Sequence, residues 1–166
     1  SNEMARKPMG LLKLDHTRAI AAMLSEPISE DQILKAYETF EETLFANIEQ
    51  HCDIKDHVIE TVAALREQGI KIGSTTGYTS AMMAPVLKKV AEAGYSPDFW
   101  VSADQVAKGR PHPYMIWNNL MQFGISDPRE AVKAGDTTVD IAEGKNADCW
   151  TVGIIMGSSV LGLTRE

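Results

Sequence analysis

The sequence has few cysteines, few aromatic residues and no long apolar run. Its two cysteines, Cys52 and Cys149, fall in no metal-ligand spacing and offer no disulfide framework. They suit a reducing cytoplasm and are expected as two buried thiols. No apolar stretch approaches the ~20 residues of a membrane span, and no signal peptide is visible. Positive charge is also scarce: 16 Lys and Arg stand against 23 Asp and Glu, a net charge of −7. That balance disfavours nucleic acid and anionic membranes as partners. It leaves room for a small anionic substrate, because a few local cations can hold a phosphate. What is present is ordinary for a globular chain. Apolar residues make up 44% and charged residues 23% of 166 positions, enough for one compact domain or a small domain with an insertion.

Two rhythms divide the chain. Residues 1–50 read as helical only. Met9 to Leu24 is rich in Leu, Ala and Met and predicts one helix. Pro27 ends it, and Ser29 with Gln32 has capping-box spacing for the next. Behind that cap, Ile33, Tyr37, Phe40, Leu44 and Ile48 recur at helical spacing and predict an apolar face. Residues 51–166 alternate helix and strand instead. Helices are expected over 57–68, 80–93, 111–123 and 138–146, with Pro85 giving a kink or a late start in the second. Strands are expected over 70–74, 98–102, 131–134 and 151–156. Short strands separated by such helices imply βαβ units and a parallel sheet, an α/β fold.

In open α/β sheets, ligands bind beyond the carboxyl ends of the strands. The first strand is followed by Thr75, Thr76, Gly77 and Tyr78. The second is followed by Lys108, Gly109, Arg110 and Pro111, and the third by Gly135, Asp136, Thr137, Thr138, Val139 and Asp140. One sheet edge thus gathers hydroxyls, a fixed cation and two carboxylates. Hydroxyls and a cation suit a phosphoryl group, and paired carboxylates suit Mg²⁺.

A Thr, then an Arg, then Asp-x-x-x-Asp, each behind its own strand, resembles the haloacid-dehalogenase-like (HAD) superfamily of phosphotransferases. The segments ARKPMGLLKLDH (Ala5 to His16), GSTTGYT (Gly73 to Thr79), GRPHP (Gly109 to Pro113) and GDTTVDIAEGKNA (Gly135 to Ala147) narrow the likeness. So does TVGIIMGSSVLGLT near the end. Together they resemble the phosphonatase family, the phosphonoacetaldehyde hydrolases, over nearly the whole chain. The resemblance implies a Rossmann-like HAD core over 51–166, with a parallel sheet, and an inserted helical cap over 1–50. It implies Lys13 as a Schiff-base lysine condensing with the aldehyde of phosphonoacetaldehyde, so that the iminium serves as electron sink for cleavage of the carbon–phosphorus bond. An aspartyl phosphate would form and be hydrolysed, giving acetaldehyde and phosphate. Thr76 and Arg110 would hold the phosphoryl group, and Asp136 would ligate Mg²⁺ with Asp140 supporting it. Met9, Gly10, His16 and Tyr78 would line the site. A homodimer through the cap helices is also implied.

The residues support part of this on their own terms. A Schiff-base lysine must be neutral to attack, and apolar neighbours and a nearby cation lower its pKa. Met9, Leu12 and Leu14 are apolar neighbours in sequence. Lys13 and His16 stand at i and i+3, on one helix face, where His16 could relay protons. The family's aspartate nucleophile has no counterpart: Asp15, Asp53 and Asp56 follow no apolar strand. A first strand carrying it is therefore expected upstream of Ser1, and the sequence as it stands is expected to be inactive without it. Fewer residues than expected for a cap lie between Met23 and Ile28, and a C-terminal end beyond Glu166 is expected too. Two rival readings are a HAD phosphatase acting on phosphate esters and a degenerate HAD module without activity.

Overall fold

The structure is a computed structural model, and it describes residues 1–155. The first fifty residues are helical, as the sequence leads one to expect, but not as one rod from Met9. Helix α1 (Asn2–Arg6) is followed by a turn over residues 8–12, and α2 (Lys13–Ala21) begins only at Lys13. Gly10, at φ +93°, takes a backbone conformation outside the helical range, while Met9 N–H and Leu11 N–H close tight turns onto Arg6 and Pro8. Helix α3 (Glu30–Asn47) starts with the expected capping box: Ser29 accepts from the Gln32 amide, and Gln32 accepts from the Ser29 amide. Its face is only partly apolar-in. Ile33 and Ile48 are buried and Tyr37 and Leu44 half-buried, but Phe40 is exposed with Leu34 and Phe45. A single 3₁₀ turn, Ile48–Gln50, ends this region.

Helix α4 (Val58–Glu67) closes at Gly69, and Ile70 N–H still bonds back to Leu65 C=O. That bond keeps Ile70 out of the sheet, so β1 runs over Gly73–Thr76 rather than 70–74. Asp98 pins the start of the ladder by accepting from Ile72 N–H at 2.8 Å. Helix α5 (Ser80–Glu92) is capped by Thr79 and continues through Pro85 with neither late start nor break; buried Met82 and Met83 anchor its first turn. Strand β2 (Phe99–Ser102) and helix α6 (Tyr114–Phe123) follow, then β3 (Val132–Gly135), α7 (Thr138–Asn146) and β4 (Trp150–Gly153). The last strand is thus shorter than 151–156. Its expected end at Met156 and the rest of TVGIIMGSSVLGLT lie outside the described residues.

The parallel character is as expected, but the described strands form two pairs rather than one sheet. β1 pairs with β2, Gly73 opposite Phe99 through Thr76 opposite Ser102. β3 pairs with β4, Val132 opposite Trp150 through Gly135 opposite Gly153. One small core of Val101, Ala103 and Met115 receives Leu12, Phe99 and Val106, and another of Ile116, Leu120 and Ala147 receives Ile125, Ala131 and Cys149. Val132, Trp150 and Val152 remain largely exposed. The two cysteines are free and half-buried rather than buried.

Candidate active site

Within each pair the strands are parallel, so the ends of β1 and β2 lie together and so do those of β3 and β4. Between the two strand pairs lies a knot of side chains. Thr75 on β1 is its hub. The Thr75 hydroxyl donates to Glu143 Oε2 at 3.1 Å, and it accepts from Arg110 Nη2 at 2.8 Å and Lys133 Nζ at 2.7 Å. Arg110 Nη2 also donates to the Thr75 carbonyl at 2.6 Å, satisfying a backbone acceptor of β1. The Arg110 guanidinium is further paired through Nε with Glu143 Oε2 (2.9 Å) and through Nη1 with Asp140 Oδ1 (3.1 Å). Lys133 Nζ lies 3.0 Å from Asp140 and 3.1 Å from Glu143. Two cations and two carboxylates, none more than about a tenth exposed, thus neutralise one another. Unpaired burial of any one would be costly.

Asp140 has two further tasks. Its carboxylate accepts from the Thr137 hydroxyl at 2.5 Å and the Thr137 amide at 3.2 Å, completing the capping box of α7. Burial works to raise its pKa, but Arg110 and then Lys133 outweigh that and hold it below the ordinary carboxylate range. An Asp140 held by two cations is not free to support a metal. Asp136 stands alone beside it, and among the described residues no group of three His, Cys, Asp or Glu side chains is placed to hold an ion. The Mg²⁺ site expected from Asp136 and Asp140 is therefore not assembled by the donors described.

Lys13 is the first residue of α2, not the middle of a long helix. Its Nζ lies 5.0 Å from the centroid of the Tyr78 ring, a cation–π arrangement. Burial, followed by the charge of Arg110, pushes the Lys13 amine below its ordinary value. His16 is lowered too, first by burial and then by the charge of Lys13, and its buried Nδ1 has no partner among the described residues. Burial raises the Tyr78 hydroxyl. Thr76 ends β1, where its hydroxyl accepts from the Tyr78 amide at 3.1 Å. A cleft of about 490 Å³ runs from Leu12 and Asp15 past Ala103 to Lys108 and Arg110.

Of the residues marked in the sequence, Lys13, His16, Tyr78 and Arg110 are linked by charge and contact. Met9 and Gly10 lie in the turn just before Lys13. Thr76 turns its hydroxyl into its own loop, and Asp140 belongs to the ion cluster. The residues that sequence reasoning missed are Lys133 and Glu143, and Thr75, marked only as one of the strand-end hydroxyls, proves to be the hub. A lysine inside the short strand VKAG, and a glutamate three residues after Asp140 on α7, were the available signals.

The chain as a whole is similar to known proteins. The family model described as haloacid dehalogenase-like hydrolase matches residues 4–154. The chain belongs to the haloacid-dehalogenase-like hydrolase family. Within it, the chain is similar to the phosphonoacetaldehyde hydrolase of Bacillus cereus, 49% identical over 174 aligned positions that cover 99% of this chain. The chain spans 66% of that relative's length. Among solved structures, a phosphonoacetaldehyde hydrolase-like protein from Oleispira antarctica superimposes with a TM-score of 0.85 at 31% identity, covering 93% of this chain and 59% of its own. A β-phosphoglucomutase from Clostridium difficile superimposes at 0.72 with 17% identity, over 92% of this chain and 69% of its own, which shows the shared fold alone. The α/β HAD architecture read from the sequence is thereby established.

Proposed function

We propose that the protein acts in hydrolysis of the carbon–phosphorus bond of phosphonoacetaldehyde, yielding acetaldehyde and phosphate, with Lys13 as the imine-forming amine. The observation that carries this reading is Lys13 itself: a half-buried amine over Tyr78, beside Arg110, with its pKa lowered. A lowered pKa raises the fraction of neutral amine available to attack an aldehyde near neutral pH. The similarity to phosphonoacetaldehyde hydrolases supports the choice of substrate.

Lys13 Nζ would add to the aldehyde carbon, and loss of water from the carbinolamine would leave a protonated imine. As the carbon–phosphorus bond breaks, its electron pair moves into that iminium to give an enamine. The phosphoryl group passes to a nucleophile. By the family resemblance this is an aspartate, and no residue of this sequence is assigned that role. Protonation of the enamine carbon, and hydrolysis of the resulting imine by water, releases acetaldehyde and returns Lys13. A second water releases phosphate from the acyl phosphate. His16, one helical turn from Lys13 with a free Nδ1, would carry protons in the imine steps. Arg110 would neutralise phosphoryl charge by exchanging a carboxylate partner for a phosphoryl oxygen. The Thr76 hydroxyl, which accepts from the Tyr78 amide, keeps its own proton to donate to that oxygen.

We assign residues 1–50 to the cap and 51–166 to the core, with a homodimer through the cap helices and a cytoplasmic location. The all-helical start of the chain, the exposed apolar residues of α3 and the free thiols support these assignments.

The test is borohydride reduction in the presence of phosphonoacetaldehyde, followed by intact mass and peptide mapping. A reduced adduct confined to Lys13, and absent from Lys13→Ala, is expected. An adduct spread over surface lysines, or none, would overturn the imine reading. Phosphate release from ordinary monoesters, unchanged by Lys13→Ala, would favour a HAD ester phosphatase instead.

A further inference from the structure

The turn that delivers Lys13 is seated between two loops, and both seats are glycine contacts. On one side stands Gly77, in the loop after β1. A Cβ at Gly77 would overlap main-chain atoms of the turn: Leu11 O, Gly10 O at 2.7 Å and Leu11 C at 2.9 Å. Backbone atoms cannot swing aside as a side-chain end can, so the turn itself would have to lift. On the other side, a Cβ at Gly10 would meet Val139 Cγ2 at 2.5 Å and Thr137 Oγ1 at 2.7 Å, in the loop and first turn after β3. Leu12, the next anchor, packs on Val101, Ala103 and Met115. Lys13 follows immediately. Three neighbouring contacts therefore fix where α2 begins.

We propose that Gly77 is a positioning residue for Lys13: its missing side chain lets the 8–12 turn seat on the loop after β1, and that seat places Nζ over the Tyr78 ring beside Arg110. The chemical meaning of this placement rests on the imine reading above; the placement itself does not. The groups that face the amine are Tyr78 from the loop after β1, Arg110 from the loop after β2, and His16 from its own helix. Lifting the turn withdraws Lys13 from the first two and into water.

The test is competitive acetylation with acetic anhydride across a pH series, with each lysine followed by peptide mass and exposed Lys35 as internal reference. In the unaltered chain the midpoint of Lys13 labelling is expected below that of Lys35. Gly77→Ala is expected to raise the Lys13 midpoint to that of Lys35. Val139→Ala, which removes the opposite wall without a clash, is expected to raise it part of the way. Gly153→Ala, whose Cβ would meet only Ile141 Cδ1 at 3.8 Å, is expected to leave it unchanged. A purely structural role would lower the melting temperature without moving the Lys13 midpoint. A folded Gly77→Ala with the original midpoint overturns the proposal. If that variant does not fold, an unchanged midpoint in Val139→Ala overturns it. An ordinary midpoint in the unaltered chain does so as well. Acetylation requires no imine, so a low midpoint without a borohydride adduct would sink the imine reading and leave the positioning role standing.

Discussion

Arg110 Nη1 and Asp140 Oδ1 lie 3.1 Å apart, with side chains only 9% and 5% exposed. Two residues that the sequence marks for separate tasks, phosphoryl binding and metal support, thus neutralise each other. Glu143 and Lys133 complete the cluster, so any ligand that recruits Arg110 must compete with carboxylates already in place. The energetic consequence is large, because the charges are desolvated and balanced only as a set.

Removing Glu143 should expose that balance. Glu143→Ala would leave Arg110 Nε without its acceptor and take one acceptor from Lys133 Nζ, at a fully buried position. Loss of about 3–5 kcal/mol is expected for breaking a buried pair. Urea unfolding would read it. Glu143→Gln, which keeps an acceptor oxygen, should lose less; equal losses would argue that shape rather than charge is what matters there.

Magnesium should do little for this chain's stability. Asp140 is engaged by Arg110, Lys133 and Thr137, leaving Asp136 without a second free carboxylate among the described residues. Adding Mg²⁺ or a chelator is expected to leave the melting temperature unchanged. Asp140→Asn should lower it equally in either solution. A melting temperature that climbs with Mg²⁺ and loses that response in Asp136→Asn would contradict this account.

The pH dependence of Lys13→Met follows from the lowered amine. Between its folded and unfolded pKa values, the folded state binds fewer protons at Lys13, so stability rises with pH through that window. Below the window, the buried charge is a cost that methionine removes. Lys13→Met is therefore expected to raise the melting temperature at pH 7, with the gain shrinking as pH climbs toward the ordinary lysine value of ~10.4. A gain that is constant with pH would point to packing alone.

Asp104 gives the opposite sign. Its carboxylate accepts from Ser102 Oγ at 2.6 Å and from the Ser80 amide at 2.9 and 3.0 Å, tying β2 to the start of α5. Burial opposes ionisation, but these donors prevail and hold the group below the usual carboxylate range. A depressed carboxyl stabilises the fold above its unfolded pKa, and that contribution is lost as pH falls through the folded value. Asp104→Ala is expected to cost about 1 kcal/mol at pH 7, as for a lost cap in an exposed setting. Chemical denaturation at pH 7 and pH 3 should show the difference narrowing at the lower pH.

Local features were legible because they depend on neighbours in sequence. Ser29 and Gln32 satisfy each other's backbone within one turn, and Gly124 ends α6 in the left-handed conformation only a few residues past its last apolar contact. The order Thr76, Arg110, Asp136 and Asp140 behind successive strands was readable for the same reason. The sequence misleads where a local propensity is overridden, by a distant contact at Gly10 and by a helix-end hydrogen bond at Ile70. Leu, Ala and Met favoured one helix from Met9, but Gly10 at φ +93° seats a turn against Thr137 and Val139, 127 residues or more away. Ile70 has strand chemistry, yet the hydrogen bond to Leu65 keeps it in the helix end.

By itself, then, the sequence determined the α/β rhythm, most helix ends and the identities of the groups at the strand ends, because propensity, capping and turn chemistry act over a few residues. Only the tertiary structure decided that Thr75 meets residues 35, 58 and 68 positions away in Arg110, Lys133 and Glu143. It also decided that Asp140 faces cations and that Lys13 rests over Tyr78. Charges choose partners by distance and burial in space, and no spacing along the chain encodes that choice.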